Sequence, residues 1–300
     1  MQGIKDINSM TIGFIGLGLM GWPMSRNLRR AGARILVFAR NKAVLEGAAK
    51  EGMEICSSPQ SLAKQVGSGF VILMLTNTAA VRQVVDGPDA LIAALQPGAV
   101  IIDMGSSGVE DTKQWAGLSK VNGNYWLDAP VSGGQVGAIG ANLTIMVGGE
   151  RSVFERALPV FRVLGSTTTY VGPSGTGQAT KLANQIIVAV TIAAVAEALT
   201  LARKAGAEPA IVRQCLLGGF AASRILELQG KRMIDGSFAP GGRASGQYKD
   251  VVEAVRLAQE HKLSLPMLEA NLLLWKEMLN RGWGDLDHSA LYKLYSDLTQ

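Results

Sequence analysis

The chain has 300 residues, about twice the usual domain size, with 48% hydrophobic and 18% charged residues. That supplies a large aliphatic core and excludes a disordered chain, while 36 glycines without a Gly-X-Y period exclude a collagen-like one. The net charge is +5, and two cysteines (Cys56, Cys215) with two distant histidines (His261, His288) exclude a disulfide framework and argue against a zinc site.

The opening residues MQGIKDINSM carry charge and no apolar stretch. They do not read as a signal peptide, and a cytoplasmic location is expected. Thr11 to Ile15 is a short β-branched apolar run and reads as a buried strand. Gly16-Leu17-Gly18-Leu19-Met20-Gly21 follows at once with the spacing GxGxxG, and a helical pattern runs on to about Arg30. The first glycine permits a tight turn, the second lets the backbone approach a pyrophosphate, and the third lets helix pack close to strand. The helix start offers free amides to the phosphates. Gly16, Leu17, Gly18, Leu19 and Met20 are therefore expected to bind a dinucleotide; the alternative is a plain glycine-rich corner.

Arg34 to Phe38 reads as the second strand. An NAD site usually places an acid at its end for the ribose 2′-hydroxyl, but here the chain reads Ala39-Arg40-Asn41-Lys42. An arginine fork matches a 2′-phosphate, so NADP is favoured over NAD, with Arg40 and Asn41 at the cofactor. Arg40 stacking on adenine is the other reading. Six cations from Arg26 to Lys42 come without an acid between Arg26 and Glu46. No basic region with interleaved aromatics supports a nucleic-acid binder, so a nucleotide phosphate is the more economical anion. Arg26, Arg29 and Arg30 read as a solvated helix face.

Further strands are expected at 70–75, 99–103, 125–128 and 143–147, with helical patterns between the early ones. This is a doubly wound α/β sheet, and its ligand-facing loops follow the strand C-termini. Leu75-Thr76-Asn77 and the Met104-Gly105-Ser106-Ser107 turn are candidate nicotinamide neighbours or ordinary turns. Asp128-Ala129-Pro130-Val131-Ser132-Gly133-Gly134 ends a strand with a hydroxyl and free amides that suit a carboxylate or oxyanion, or is a plain turn. No GxSxG elbow supports a serine hydrolase.

After Gly172-Pro173 the pattern becomes helical, which divides the chain into a cofactor domain (10–173) and an all-α domain (174–300). Helices are expected at 178–205, 208–217, 222–234, 248–261, 266–280 and 287–298. The greasy run Leu182 to Ala196 is 15 residues, interrupted by Asn184 and Gln185. A membrane span needs about 20, so a buried helix is expected and no membrane is implied. Lys181 sits in the first turns of the long helix, where the positive helix end and apolar surroundings favour the neutral amine. That suits a general acid/base, and Asn184 and Gln185 share its face at i+3 and i+4. A snorkelling surface lysine with two helix-face amides is the bland alternative. Apolar helical faces beyond what one chain covers point to a homo-oligomer, a homodimer or homotetramer.

Together these pieces resemble the β-hydroxyacid dehydrogenase family, relatives of 3-hydroxyisobutyrate dehydrogenase and, more distantly, of 6-phosphogluconate dehydrogenase. The likeness covers about residues 10 to 298. It is carried by GFIGLGLMG (13–21), DAPVSGG (128–134), GTGQATKLANQ (175–185) and the pair Lys249-Asp250, in that order. The resemblance implies an N-terminal Rossmann domain, an all-α second domain, and metal-free hydride transfer between NADP(H) and a small carboxylic substrate. It implies Lys181 as proton donor and acceptor. Ser132, Gly133 and Gly134 would hold the carboxylate and hydroxyl, and Asn184 and Gln185 would orient the substrate. Ser106 and Lys249 would lie near the nicotinamide. KLANQ with the helix after it, and DHSAL (287–291), are similar to the branch that reduces tartronate semialdehyde to glycerate. The chain departs from the family at Gly105 and Thr76, where Ser and Pro are usual, and from that branch at Gly242, Ser245 and Gln247, where Phe, Asp and His are usual. Oxidation of 3-hydroxyisobutyrate, reduction of another short semialdehyde, and a non-catalytic nucleotide-binding module are the alternatives.

Overall fold

A computed structural model describes residues 7–87 and 90–297. The chain divides into two compact units between Lys181 and Leu182.

The first unit alternates strand and helix. After a 3-10 turn come β1 (Thr11–Ile15), α1 (Gly21–Arg30), β2 (Arg34–Phe38), α2 (Lys42–Lys50), β3 (Glu54–Ile55), α3 (Pro59–Val66), β4 (Phe70–Leu73) and α4 (Thr78–Val85). The short α5 (Leu91–Ala94), β5 (Val100–Asp103), α6 (Val109–Val121) and β6 (Tyr125–Asp128) follow. The chain then turns through β7 (Val131–Ser132), α7 (Gly134–Ile139), β8 (Thr144–Gly149), α8 (Arg151–Leu164) and β9 (Thr167–Gly172). One sheet results, in the order β3-β2-β1-β4-β5-β6-β8-β7, with β9 against β8. Strands β1 to β6 are mutually parallel, whereas β8 runs antiparallel to β6 and β7. Parallel strands carry helices on both faces, so β1, β4 and β5 are almost wholly buried. Alternate residues feed two cores: Ile12, Phe14, Ile35, Val37 and Ile72 in one, Ile15, Leu36, Val71, Leu73 and Ile101 in the other.

The expected strands form within two residues of their predicted bounds. Three unforeseen strands join them. β3 is two exposed residues, β7 is two residues, and β9 (TTTYVG) has no fully buried position, so none shows an apolar alternation. Strand order reverses between β1 and β4, which places the ligand crevice of such a sheet outside their C-terminal ends.

Helix α9 (Thr176–Lys204) starts in the first unit and continues into the second, about 44 Å at 1.5 Å per residue. The second unit adds α10 (Pro209–Leu217), α11 (Arg224–Asp235), α12 (Ala244–Glu260), α13 (Pro266–Asn280), a 3-10 turn (His288–Leu291) and α14 (Tyr292–Asp297). The expectation that the apolar part of α9 is buried holds for one stripe only. Ala189, Ile192, Ala193, Ala196 and Leu199 are covered, while Ile187 is 69% and Leu201 73% exposed. Apolar composition signals that the helix seeks cover, and one chain supplies it on one side. By length and composition α9 could cross a membrane, and a third of its most apolar window is buried. Within the second unit α13 is pinned to α9, because Asn271 Nδ2 donates to the Ala189 carbonyl and Trp275 Nε1 donates to Asn271 Oδ1.

Candidate active site

The glycine turn follows β1 at the strand-order reversal. Gly16 has φ +102°, a conformation that side chains rarely adopt. A Cβ on Gly21 would run into the Gly16 carbonyl, whereas one on Gly18 would meet nothing within 4 Å. The third glycine is thus needed for close packing, and the second leaves room for a phosphate. Helix α1 has no side-chain cap at Met20 and no acid in its first turn, so its amides remain suited to an anion. The Leu17 side chain is buried in the core, whereas Leu19 is exposed. This cradle fits a dinucleotide pyrophosphate.

Arg40 is exposed just past the end of β2, whose Phe38 carbonyl accepts from the Gly16 amide. Arg34 and Arg26, by contrast, are paired with Glu54 and Glu51. Asn41 Oδ1 caps α2 by accepting from the Ala43 and Val44 amides. Asn77 Oδ1 likewise caps α4 by accepting from the Ala80 amide, next to exposed Thr76 and half-buried Leu75. The β4–α4 loop is tied to the β5–α6 turn, since Gly108 N–H donates to Thr78 Oγ1 at 2.9 Å.

Three predicted motifs meet at the first turn of α9. Asp128, at the head of DAPVSGG, is fully buried and accepts with both carboxylate oxygens from that turn, Oδ1 from Gly175 N–H and Oδ2 from Gln178 N–H, each at 2.9 Å. Burial pushes its carboxyl up to about 6, with the backbone amides, including Gly177, acting against that rise. Gln178 reaches to the β5–α6 turn: its Oε1 accepts from Ser107 N–H at 3.1 Å, and its Nε2 donates to the Gly105 carbonyl at 2.9 Å. Asp103 closes the network by accepting from Ser107 Oγ at 2.6 Å. Ser106 lies half-buried in that turn, and Lys181, 9% exposed, is three residues past Gln178. Ser132 ends β7, with Gly133 and Gly134 exposed at the start of α7. Asn27 of α1 donates to the Ala138 carbonyl of α7 at 2.8 Å, so this turn is braced against the glycine-loop helix.

In the second unit Gln185 Nε2 donates to Asp250 Oδ2 at 2.6 Å and Gln185 Oε1 accepts from Asn184 Nδ2 at 2.8 Å. Lys249 Nζ lies 3.1 Å from Asp250 Oδ1. Gln247 brackets Gln185 by accepting from its amide and donating to its carbonyl. Asn184, Gln185 and Lys249 are thus joined in one polar cluster, through a buried Asp250 and Gln247 that the sequence reading had not placed among the site residues. Asp103, Asp128 and Gln178 were likewise not singled out. The one available signal was an acid ending an apolar strand, at Asp103 and again at Asp128. Among the described residues no group of three or more His, Cys, Asp or Glu could hold a metal ion.

Residues 11–172 match the family model for the NAD-binding domain of 6-phosphogluconate dehydrogenase, and residues 175–295 match that for the NAD-binding of NADP-dependent 3-hydroxyisobutyrate dehydrogenase. The chain is 43% identical to 2-hydroxy-3-oxopropionate reductase of Escherichia coli, over 94% of this chain and 96% of the relative. It is 34% identical to 2-(hydroxymethyl)glutarate dehydrogenase of Eubacterium barkeri, over 97% and 96% respectively. The solved structure of Mycobacterium tuberculosis 3-hydroxyisobutyrate dehydrogenase with L-serine superposes with a TM-score of 0.87 at 30% identity, covering 95% of this chain and 98% of the other. With two family models spanning the sheet and the helices in turn, the chain belongs to the 3-hydroxyisobutyrate dehydrogenase-like β-hydroxyacid dehydrogenases and is an NAD(P)-dependent 3-hydroxyacid dehydrogenase.

Proposed function

We propose that the chain is a cytoplasmic, NADP-dependent reductase that converts tartronate semialdehyde to glycerate. The observation that carries this is Lys181, a buried amine on the turn of α9 that Asp128 and Gln178 anchor to two predicted ligand loops. The 43% identity to a 2-hydroxy-3-oxopropionate reductase supports the substrate. Exposed Arg40, with no acid beside it at the end of β2, supports NADP.

The bound cofactor supplies a hydride from nicotinamide C4 to the aldehyde carbon. Lys181, as the ammonium, donates its proton to the aldehyde oxygen, so that carbon gains the hydride, oxygen gains the proton and a primary alcohol results. Solvent then returns a proton to the amine. Ser132 Oγ and the amides of Gly133 and Gly134 hold the substrate carboxylate. Asn184 and Gln185 orient the substrate, the Gln185 amide held by Asp250 and the Asn184 amide by Gln185. Gly16, Leu17, Gly18, Leu19 and Met20 cradle the pyrophosphate through the main chain, and Arg40 and Asn41 meet the adenosine end. Leu75, Thr76, Asn77, Ser106 and Lys249 flank the nicotinamide. Residues 10–173 thus bind most of the cofactor and the substrate carboxylate, and 174–300 supply Lys181, Asn184, Gln185 and Lys249 and join copies of the chain in a dimer or tetramer. Apolar α10 has no buried residue, and Ile211 and Phe220 are exposed, which supports that assembly.

The test is initial-rate oxidation of NADPH and of NADH with tartronate semialdehyde, for wild type and Lys181→Ala. Turnover preferring NADPH, with a fall of at least about 100-fold in kcat for the variant, is expected. Wild-type NADPH binding without turnover rejects the substrate, and an undiminished variant rejects the lysine.

A further inference from the structure

We infer that Gln178 is a positioning residue, whose single carboxamide fixes Ser106 relative to Lys181. The inference rests on the roles proposed above for those two residues. Gln178 is 1% exposed, and its three side-chain bonds all reach residues more than 70 positions away. Their pattern is specific. The Gly105 carbonyl that Nε2 donates to belongs to the peptide preceding Ser106. The Ser107 amide that Oε1 accepts from belongs to the peptide following it. One amide therefore grips both peptide groups around Ser106, as a strand would grip a neighbour. A third, longer bond at 3.5 Å goes to Asp103 Oδ2, the carboxylate that also accepts from Ser107 Oγ and from the Gly105 amide.

The backbone of Gln178 is held from the other side, because its N–H donates to Asp128. A Cβ on the preceding residue, Gly177, would strike the Asp128 and Met146 carbonyls, so the first turn of α9 lies directly on the sheet. Gln178 is thus fixed at its main chain to the strand that leads to Ser132 and at its side chain to the turn that carries Ser106. Lys181 follows within one helical turn. The amide needs a donor and an acceptor at once, and no isosteric side chain other than a protonated glutamic acid provides both.

The test uses the full-length protein, with Gln178→Met, Gln178→Glu and Lys181→Ala, assayed with NADPH and tartronate semialdehyde and with NADP+ and 3-hydroxyisobutyrate or L-serine, the substrate being whichever the wild type turns over. Gln178→Met is expected to lower kcat about 10- to 100-fold, since small misplacements of reacting groups cost that much, while KM for the cofactor stays within about twofold. Gln178→Glu distinguishes positioning from mere folding. Its carboxyl faces Asp103 and is driven towards the protonated form, which both donates and accepts. Its kcat relative to wild type is expected to rise as pH falls from 8 to 5.5, while that of Gln178→Met stays flat. If Gln178→Met does not fold, the Gln178→Glu ratio decides. Wild-type kcat in Gln178→Met, or a Gln178→Glu ratio that does not change with pH, overturns the inference. Should Lys181→Ala stay active, it is the reading of the site that falls. Hydrogen exchange at residues 104–108 gives a readout that needs no substrate: unchanged protection in Gln178→Met also overturns the inference.

Discussion

Replacing Asp128 by Asn changes the charge at the start of α9 with little change in shape. The native carboxylate is fully buried and accepts from the Gly175 and Gln178 amides. Burial raises its carboxyl from the ordinary 3.8 to about 6. Between about pH 4 and 6 the folded chain therefore keeps a proton that the unfolded chain has lost, and stability from this group is lost as pH rises. A difference of about two units at 1.36 kcal/mol each is about 3 kcal/mol. Asparagine is neutral at every pH and keeps one acceptor for the two amides. It has no charge to bury and no proton to lose. Relative to Asp128→Asn, the wild type should lose about 3 kcal/mol of stability between pH 4 and pH 7. Melting temperatures of both proteins at the two pH values measure this. At about 2–4 °C per kcal/mol for a unit of this size, the gap should change by about 6–12 °C. Taking the difference between the proteins cancels the other titrating groups. A gap that is the same at pH 4 and pH 7 refutes the reasoning.

Arg40→Ala should raise KM for NADPH about 10- to 100-fold and leave that for NADH within about twofold, the loss of one charge-assisted phosphate contact; equal losses with both would assign Arg40 to the adenine instead. Asp287 accepts from the Gly241, Gly242 and Ser289 amides and pairs with Arg232. Burial opposes its charge, but His288, Ser289 and those amides outweigh it and hold the carboxyl down at about 2. Its contribution should be complete above pH 4 and be lost as pH falls towards 2, and Asp287→Ala should cost about 3–5 kcal/mol in urea unfolding at pH 7 by leaving the Gly241, Gly242 and Ser289 amides without their acceptor and half-buried Arg232 without its partner. A change under about 1 kcal/mol would show that the knot is not structural. Light scattering at micromolar concentration should give a multiple of the 31.7 kDa chain mass, and the single-chain mass would refute the assembly.

The central strands were legible because a parallel strand buried on both faces is a continuous apolar run, as in TIGFI, RILVF and FVIL. The edge strands were not. Glu54–Ile55 has no buried residue, and Thr167–Gly172 presents threonines to a neighbour whose pairing only the fold supplies. The glycine turn was readable because each glycine answers a local requirement, and the structure shows the tight φ at Gly16 and the close approach at Gly21. The buried polar residues were illegible for the opposite reason. Asp128 finds its partners 47 and 50 residues away, and Gln178 finds Gly105 at 73. No spacing rule encodes such distances. Gln185 was readable as a face-mate of Lys181, but not as the partner of Asp250, 65 residues on. The exposed side of α9 escaped because hydropathy reports a demand for burial without naming the surface that meets it.

The bonds that hold the first turn of α9 through Gln178 close within the first unit, whereas those from Gln185 and Lys249 to Asp250 close within the second. On the proposed roles, the turn that carries the proton donor and the amides that orient the substrate are therefore held in separate folding units that share one helix. Drift at Gln247 or Asp250 can alter which acid is accepted without loosening the turn that holds the amine. A lineage built this way can change its substrate while keeping its chemistry, and relatives as similar as 43% and 34% bear the names of different substrates.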